Sequence, residues 1–266
     1  DLPYPGFMKT TAKLRKYYLQ QVDSIEVILR KSGQDFTSED FHNLRLCIKK
    51  IKAVLSFLRF YNPDFSKEKY YKPYKELFSL AGEVREIHIQ QSQLKKYTSN
   101  PLLAKYFDEL SNDLRKHQET FAKLIDQKLR KKIKANAKKV DAFFQRAAKK
   151  LMTQYLLEEQ SNIQLLMKAD KLAKKDVHNL RKQIKDIFYL QKIFQPKDNR
   201  LIVADEFQEM LGQWHDNRVL AKDILKGAKN HKLQPDEVKA LMTLRKKILA
   251  SSDRQLAKIE VTRKTV

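Results

Sequence analysis

A short segment that occurs twice is the feature of this sequence that constrains the fold most. Residues 40–45 read Asp-Phe-His-Asn-Leu-Arg, and residues 176–181 read Asp-Val-His-Asn-Leu-Arg. When the alignment is extended to residues 40–51 and 176–187, eight of the twelve positions are identical. Similarity at a fixed offset indicates a repeated structural unit. We therefore expect an internal duplication, with residues 8–134 as the first repeat and 138–266 as the second.

A second, weaker pair of segments follows the first pair. Residues 80–86 read Leu-Ala-Gly-Glu-Val-Arg-Glu, and residues 211–216 read Leu-Gly-Gln-Trp-His-Asp. Gly82 aligns with Gly212, and Glu86 aligns with Asp216. The repeat thus covers two successive segments in each half, which favours a pseudo-twofold arrangement over two unrelated domains.

The composition indicates that the repeated unit is helical. The 266 residues include only five Gly and seven Pro, too few for the many turns of a sheet protein, while 42% are hydrophobic and can fill a core. Apolar residues recur at spacings of three and four. The sequence predicts an all-α fold with helices near 8–31, 38–61, 66–97, 101–134, 138–169, 173–194, 199–229 and 235–262.

The charge of the chain favours a polyanionic partner. Lys and Arg number 55 and Asp and Glu number 32, which gives a net charge of +23. The excess is +10 in residues 1–133 and +13 in residues 134–266, so it is spread over the chain rather than confined to a tail. A folded body with this imbalance repels itself unless its charges face water or an anion.

The cysteine content and the apolar pattern bear on location. Cys47 is the only cysteine, so no disulfide framework is possible, and no apolar run is long enough to cross a membrane. The first residues also lack the charged and then apolar order of a signal peptide. We expect a cytoplasmic protein without a membrane partner.

The first repeated segment begins a helix with two adjacent stripes. At 100° per residue, one stripe is basic, and its neighbour is apolar and predicted to be buried. The basic stripe contains His42, Arg45, Lys49, Lys52 and Arg59. The apolar stripe contains Leu44, Cys47, Ile48, Ile51, Val54, Leu55 and Leu58.

The second segment repeats this arrangement. Its basic stripe contains His178, Arg181, Lys185 and Lys192, extended upstream by Lys174. Its apolar stripe contains Leu180, Ile184, Ile187, Leu190 and Phe194. No Asp or Glu occurs in residues 41–63, and Asp186 is the only one in residues 177–197. Such stripes can be solvated side chains at the edge of a core, but like charges one helical turn apart repel, and an anion would relieve that repulsion.

The length of the first basic stripe favours an extended ligand. From His42 to Arg59 the helix rises about 25 Å, at 1.5 Å per residue. A compact phosphate would contact only one end, whereas a linear phosphate chain could follow the whole stripe. Charge and spacing alone indicate an extended polyanion without identifying it.

The two copies of His-x-x-Arg-x-x-x-Lys, each followed by a Leu-Gly type segment, resemble the CHAD family, the conserved histidine α-helical domain. This resemblance covers the chain from Met8 onward and implies one CHAD domain of two pseudo-twofold-related four-helix bundles. It also implies a basic central groove that binds inorganic polyphosphate and, in some members, association with polyphosphate granules. Together the stripes and the resemblance predict polyphosphate contacts at His42, Arg45, Lys49, Lys50, Lys52, Arg59, His178, Arg181, Lys182, Lys185, Tyr189 and Lys192.

The chain departs from the family pattern at several positions. Asp186 and Phe188 stand where basic residues are usual, and Ala81 and His88 replace the expected Leu and Asp. We therefore expect the second stripe to bind more weakly than the first, with Lys182 and Lys192 as possible compensation.

Neither a cofactor nor a metal is expected, and no catalytic residue stands out. The five glycines are isolated, which excludes nucleotide-binding glycine loops, and cations surround both repeated histidines, which disfavours a metal there. Glu86 and Asp216 are the best carboxylates for a metal-dependent hydrolase, but they fit helix packing better. We expect a binding protein that is not an enzyme, with a polyphosphate-processing enzyme as one alternative.

The other alternative is an RNA- or tRNA-binding module, with nucleic acid as a secondary partner. Residues 128–139 hold seven cations and no acid, and residues 70–75 interleave tyrosines with lysines. The first segment also fits a solvated junction, and the second fits packing at the start of a helix.

Overall fold

The computed structural model describes residues 5–31, 35–146, 149–194 and 205–264, and within these ranges the chain forms nine α-helices and no strand. The all-α prediction is confirmed. The helices are α1 (Pro5–Ile28), α2 (Ser38–Tyr61), α3 (Lys67–Tyr97), α4 (Ala104–Leu124), α5 (Gln127–Asp141), α6 (Lys149–Lys168), α7 (Lys174–Phe194), α8 (Asp205–Asn230) and α9 (Pro235–Thr262). The expected start of a helix at residue 199 lies outside the described residues.

The single helix predicted for residues 101–134 is wrong. A 3₁₀ turn at Pro101–Leu103 precedes α4, and the chain leaves the helical path before α5 begins. The break has a local cause, because Asp126 adopts an extended conformation and its carboxylate accepts a hydrogen bond from Leu129 N at 2.6 Å. Asp126 is therefore a helix N-cap. The helix that follows continues through residues 134–138 to Asp141, and a 3₁₀ segment at Ala142–Arg146 separates it from α6, so the single helix predicted for residues 138–169 is also wrong.

The chain divides into two compact units, each made of several segments. Unit 1 comprises residues 1–85, 117–162 and 185–201, and unit 2 comprises residues 86–116, 163–184 and 202–266. The helices α3, α4, α6 and α7 each contribute residues to both units. The duplication into residues 8–134 and 138–266 stays a prediction.

An aromatic cluster anchors the start of α2 in unit 1. The Phe41 ring lies 4.9 Å from the Phe121 ring and 5.7 Å from the Phe36 ring, and all three side chains are buried. Edge-to-face contacts of this kind stabilise a core beyond the area that they bury. Since Phe41 faces the core, the next residue, His42, is exposed.

Unit 2 has its own core, built from the last part of α3 together with α4, α8 and α9. Tyr106 is fully buried, and its hydroxyl accepts a hydrogen bond from Gln90 Nε2 at 2.7 Å. A Cβ at Gly227 would collide with the Tyr106 ring, so this glycine allows α8 to approach α4. The buried apolar residues are Ile87, Leu94, Leu103, Tyr106, Leu110, Leu220, Ala221, Ile224, Leu241, Leu244 and Ile248.

The apolar stripes of α2 and α7 are buried as predicted. In α2 this holds for all seven predicted positions, and in α7 for Leu180, Ile184, Ile187 and Leu190. The side chains of Phe194 and Lys192 lie outside the described part of the chain. The apolar faces therefore orient the basic stripes away from the core.

Candidate functional site

The aspartate of each repeated segment fixes the start of its helix. Asp40 accepts hydrogen bonds from Thr37 N at 2.8 Å and from Lys31 Nζ at 2.7 Å, and Thr37 Oγ1 accepts one from Asp40 N. Burial alone would raise the pKa of Asp40, but these partners hold it below its ordinary value. In the second copy, Asp176 accepts from Ala173 N at 3.1 Å. The repeated aspartates are thus capping residues, and α2 and α7 begin at equivalent positions, Ser38 and Lys174.

Arg45 is tied to α3 rather than directed wholly to solvent. Its Nη1 donates to the Phe78 carbonyl at 2.6 Å, and its guanidinium carbon lies 4.0 Å from the centre of the Phe78 ring. A Cβ at Gly82 would collide with the same guanidinium group. Gly82 therefore makes room for Arg45 between the two helices, and this arginine has a packing role.

The equivalent glycine of the second copy has different surroundings. A Cβ at Gly212 would meet no described atom within 4 Å outside its own helix. Arg181, the counterpart of Arg45, is half-buried. Close packing of an arginine on the aligned glycine is thus a feature of the first copy.

Cations from three helices surround His42. Partial burial comes first among the causes that lower the pKa of His42, followed by the charges of Arg85 on α3, Lys49 on α2 and Lys185 on α7, while Glu39 opposes them. Arg85 also donates from Nη1 to Ser38 Oγ at 2.9 Å. We call His42, Lys49, Arg85 and Lys185 the His42 site. All four residues belong to unit 1.

Arg85 was missed in the sequence analysis, although a signal for it was present. It lies three residues after Gly82, and His215 lies three residues after Gly212. The His215 ring is 4.9 Å from the His178 ring, so each repeated histidine lies close to the third residue after its aligned glycine. The comparison of the two segments could have revealed this position.

Lysines continue along α2 beyond Lys49. Lys50 and Lys52 are half-buried, so their aliphatic stems lie against the protein. Lys50 Nζ lies 5.9 Å from the centre of the Tyr17 ring. Burial raises the pKa of Tyr17, and Tyr189 and Cys47 add to this effect. Tyr189 thus lies close to Tyr17 of α1 in unit 1.

At the far end of the predicted basic stripe, Arg59 binds backbone carbonyls of the protein. Arg59 Nη1 donates to the Pro63 carbonyl and, at 3.4 Å, to the Phe65 carbonyl. These bonds close the loop that follows α2. A ligand at Arg59 would compete with two carbonyl acceptors of the protein.

Carboxylates lie near the lysines at this end. Burial, and then the charge of Lys52, lower the pKa of Lys67, whereas Asp186 and Glu159 raise it. Burial and the charge of Asp186 also raise the pKa of Glu159. The neighbourhood of Lys52 and Lys67 is therefore mixed in charge, and Asp186, the departure noted in the sequence, is one of its acids.

The predicted second stripe is divided between the two units. His178, Arg181 and Lys182 belong to unit 2, whereas Lys185 and Tyr189 belong to unit 1. Burial, followed by the charges of Lys182 and Arg181, lowers the pKa of His178. Lys182 is exposed, and the side chain of Lys192 is not described. Of this stripe, Lys185 acts on His42 within unit 1.

The described residues offer neither a cluster of metal ligands nor a membrane-spanning helix. Among the described residues, no three His, Cys, Asp or Glu side chains are placed to hold one metal ion. No helix in the described ranges combines the length and apolarity needed to span a bilayer.

The fold and the basic helix faces define the chain as an all-helical domain with a cationic surface. Its family is shown by a family model, the CHAD domain, which matches residues 18–224, and the chain belongs to this family. None of the curated proteins compared with the chain matches it.

Solved structures agree with the fold. The crystal structure of the CHAD domain from the plant Ricinus communis is similar with a TM-score of 0.78 and 13% identity, over 97% of this chain and 92% of that one. PptA from Streptomyces chartreusis is similar with a TM-score of 0.65 and 15% identity, over 97% of this chain and 99% of that one.

Proposed function

We propose that this protein binds inorganic polyphosphate without transforming it, and that the chain of phosphates lies on α2 at the His42 site. The observation that carries the proposal is the convergence of Lys49, Arg85 and Lys185 on His42 from three helices. Like charges brought together by the fold repel one another, and an anion bound among them relieves that repulsion. CHAD membership supports phosphate chains as the anion.

The surroundings of α2 favour an elongated ligand over a single phosphate. Lys49 and Lys52 lie three residues apart on one side of α2 and are half-buried, so their stems are held while their ammonium groups reach solvent. Lys50 lies on another side of the helix, near Tyr17. Arg85 adds a planar fork that suits phosphate oxygens. The bound segment would begin at His42 and run toward Lys52, where Asp186 and Glu159 limit its extent.

His42 would contribute a hydrogen bond rather than a charge. Its lowered pKa keeps the imidazole neutral at pH 7 in the free protein, so one ring nitrogen donates and the other accepts. A phosphate oxygen is a suitable acceptor. Since the bound anion favours the protonated ring, the pKa of His42 should rise in the complex.

A role as a binding protein is proposed in preference to an enzyme. Of the carboxylates near the basic residues, Glu39 acts on His42, and Asp186 and Glu159 lie close to Lys67, whose ammonium group offsets their charge. Glu86 and Asp223 are a second pair of carboxylates that lie near each other, and both belong to unit 2. As part of the same proposal, the protein is cytoplasmic and associates with polyphosphate granules, which a fluorescent fusion can test.

The test is calorimetric titration with polyphosphate of defined length. Lys49→Glu and Lys185→Glu each place a negative charge at the His42 site and should weaken binding about tenfold or more, because a charge-assisted contact contributes about 1.5 to 3 kcal/mol. Lys239→Glu on α9 is the matched control, since Lys239 is exposed and belongs to unit 2. Arg45 is avoided because its loss also disturbs the packing of α2 on α3.

Three results would argue against the proposal. Equal losses in all three variants would leave only a nonspecific effect of net charge. Tighter binding of RNA with the same number of phosphates would favour the RNA-binding alternative. Release of phosphate that depends on a divalent metal and survives thorough purification would identify an enzyme.

A further inference from the structure

The outer surface of α5 carries a face of lysines that the His42 site does not use. Ile133, Asn136, Ala137 and Val140 are buried, and the opposite side of the helix is exposed. The exposed side contains Lys128, Lys131, Lys132, Lys138 and Lys139, which we call the α5 lysine face. None of these five side chains has an ion-pair partner among the described residues.

The carboxylates nearest in sequence to this face are engaged elsewhere. Asp141 accepts two hydrogen bonds from Arg15, and Asp126 caps the first turn of α5. Glu26 on α1 pairs at 3.1 Å with Lys134, the one lysine of α5 that is not part of the face. Lys134 therefore differs from the five lysines of the face, which are exposed to solvent and have no ion-pair partner among the described residues.

The five lysines form two rows along the helix. At 100° per residue, Lys131 and Lys138 lie on one side, Lys128, Lys132 and Lys139 lie on the other, and the exposed Ala135 lies between the rows. The face is about 16 Å long, at 1.5 Å of rise per residue. Ammonium groups from both rows can therefore reach a thin chain that runs over Ala135.

This arrangement strains the free helix. Lys128 lies three and four residues before Lys131 and Lys132, and like charges at those spacings destabilise a helix by a few tenths of a kcal/mol per pair. No acid on the helix itself lies before Asp141 to compensate. A bound polyanion would remove this repulsion.

The residue types on the face select among polyanions. It has no aromatic ring on which a base could stack, and the exposed Gln127, one turn before Lys131, is its one amide that could read a base edge. It also has no large apolar side chain that could enter a bilayer. A ligand that consists of charge alone, a linear phosphate chain, fits this face better than RNA or a membrane.

We infer that the α5 lysine face is a second docking surface for inorganic polyphosphate, so that one protein holds two phosphate chains or two segments of one long chain. This inference rests on the function proposed above. In unit 1, α1 packs against both α2 and α5, and Arg15 and Glu26 of α1 hold α5 through ion pairs. With polyphosphate bound at both the His42 site and the α5 lysine face, the protein would cross-link long polyphosphate chains.

The test uses the full chain and two triple variants with the same change in charge. Lys128, Lys132 and Lys139 are replaced by Gln in the α5 variant, and Lys239, Lys246 and Lys247 on α9 are replaced by Gln in the control. All six lysines are exposed, and glutamine is a good helix former, so both variants should fold, as circular dichroism can verify. The ligand is a short polyphosphate no longer than one helix face.

The wild type and the control variant should each bind two short chains, and the α5 variant should bind one. With long polyphosphate, light scattering should rise for the wild type and the control and should stay low for the α5 variant.

Other outcomes overturn the inference in distinguishable ways. If the α5 variant keeps two bound chains while Lys49→Glu removes one, the His42 site stands and the second surface does not. If only RNA binding is lost in the α5 variant, RNA is the ligand of this face. If the wild type binds no polyphosphate, the proposed function fails as well.

Discussion

The guanidinium group of Arg45 lies over Gly82, in the space that a side chain at residue 82 would occupy. Arg45 donates from this position to the Phe78 carbonyl. The repeated arginine and the repeated glycine, which lie far apart in the sequence, are thus parts of one contact between α2 and α3. Arg45 therefore has a packing role, whereas the role proposed for Lys49 is ligand binding.

Alanine at Gly82 and at Gly212 should have opposite effects on stability. Gly82→Ala displaces the Arg45 guanidinium and weakens its charge-assisted bond, so after the gain in helix propensity it should cost about 1 kcal/mol. Gly212→Ala meets no described atom and should stabilise the protein by up to about 1 kcal/mol. Urea unfolding measures both values. Equal effects would mean that Arg45 adapts without loss.

The salt dependence of polyphosphate binding should report the contacts of the His42 site. Lys49→Gln and Lys185→Gln should each lower the log–log salt slope by about 0.7, as expected for one lost phosphate contact. The measurement is titration at several salt concentrations. Arg59→Gln should change the slope less, because the Pro63 and Phe65 carbonyls already engage this side chain. A larger change at Arg59 than at Lys49 would place the phosphate chain elsewhere on α2.

Acidification should destabilise the free protein in part through His42 and His178. Both have a pKa below the ordinary value of 6.5, so near that pH the unfolded chain binds more protons than the folded one. Stability is therefore lost as pH falls through 6.5 toward the lower pKa of the folded state. The loss should be smaller in His42→Gln, as seen in thermal unfolding between pH 7.5 and 5.5. Bound polyphosphate should raise the pKa of His42 in an NMR titration, and no change on binding would remove His42 from the site.

Asp223 should make the folded state less stable as pH rises. Burial, followed by the charge of Glu86, raises its pKa from 3.8 to about 6. The folded state therefore holds a proton that the unfolded state has lost, and stability from this group falls as pH increases from about 4 to 6. Asp223→Asn should remove this dependence and raise the unfolding midpoint at pH 7 by about 2 to 4 °C. Glu86→Gln should produce the same trend more weakly. An unchanged pH profile in Asp223→Asn would show that the carboxyl titrates normally.

Arg263 should be essential for the stability of unit 2. Its side chain is fully buried, and it donates to Glu260 at 2.6 Å and to the Met167 and Ala169 carbonyls at 2.6 and 2.5 Å. Arg263→Met leaves these acceptors unsatisfied and should cost about 3 kcal/mol or more. Arg263→Lys should not restore the loss, because one ammonium group cannot replace the fork.

The matched control for this prediction is Arg254→Met. Arg254 is exposed on α9, the helix that Arg263 caps at its C-terminal end, and its replacement should change stability by no more than about 0.5 kcal/mol. Unfolding in urea provides the comparison. Similar losses for the two arginines would show that the buried bonds of Arg263 contribute little.

Local patterns predicted the helices well and failed where a single polar residue acts through its backbone neighbours. The apolar stripe of α2 is buried at every predicted position, because a period of 3.6 residues places it on one side of the helix. The spacing of apolar residues does not predict the break before α5, which depends on Asp126. Its capping role depends on a short-range hydrogen bond that the spacing of apolar residues does not report.

The sequence by itself determined the class of fold, the helix faces and the family, because composition, periodicity and the repeated segments are properties of short stretches of chain. Only the tertiary structure decided which charges act together. It brought Arg85 and Lys185 to His42, placed Arg45 on Gly82, and turned Arg59 toward the loop after α2. Electrostatic and packing interactions depend on distance in space, and residues on different helices become neighbours only when their buried faces meet.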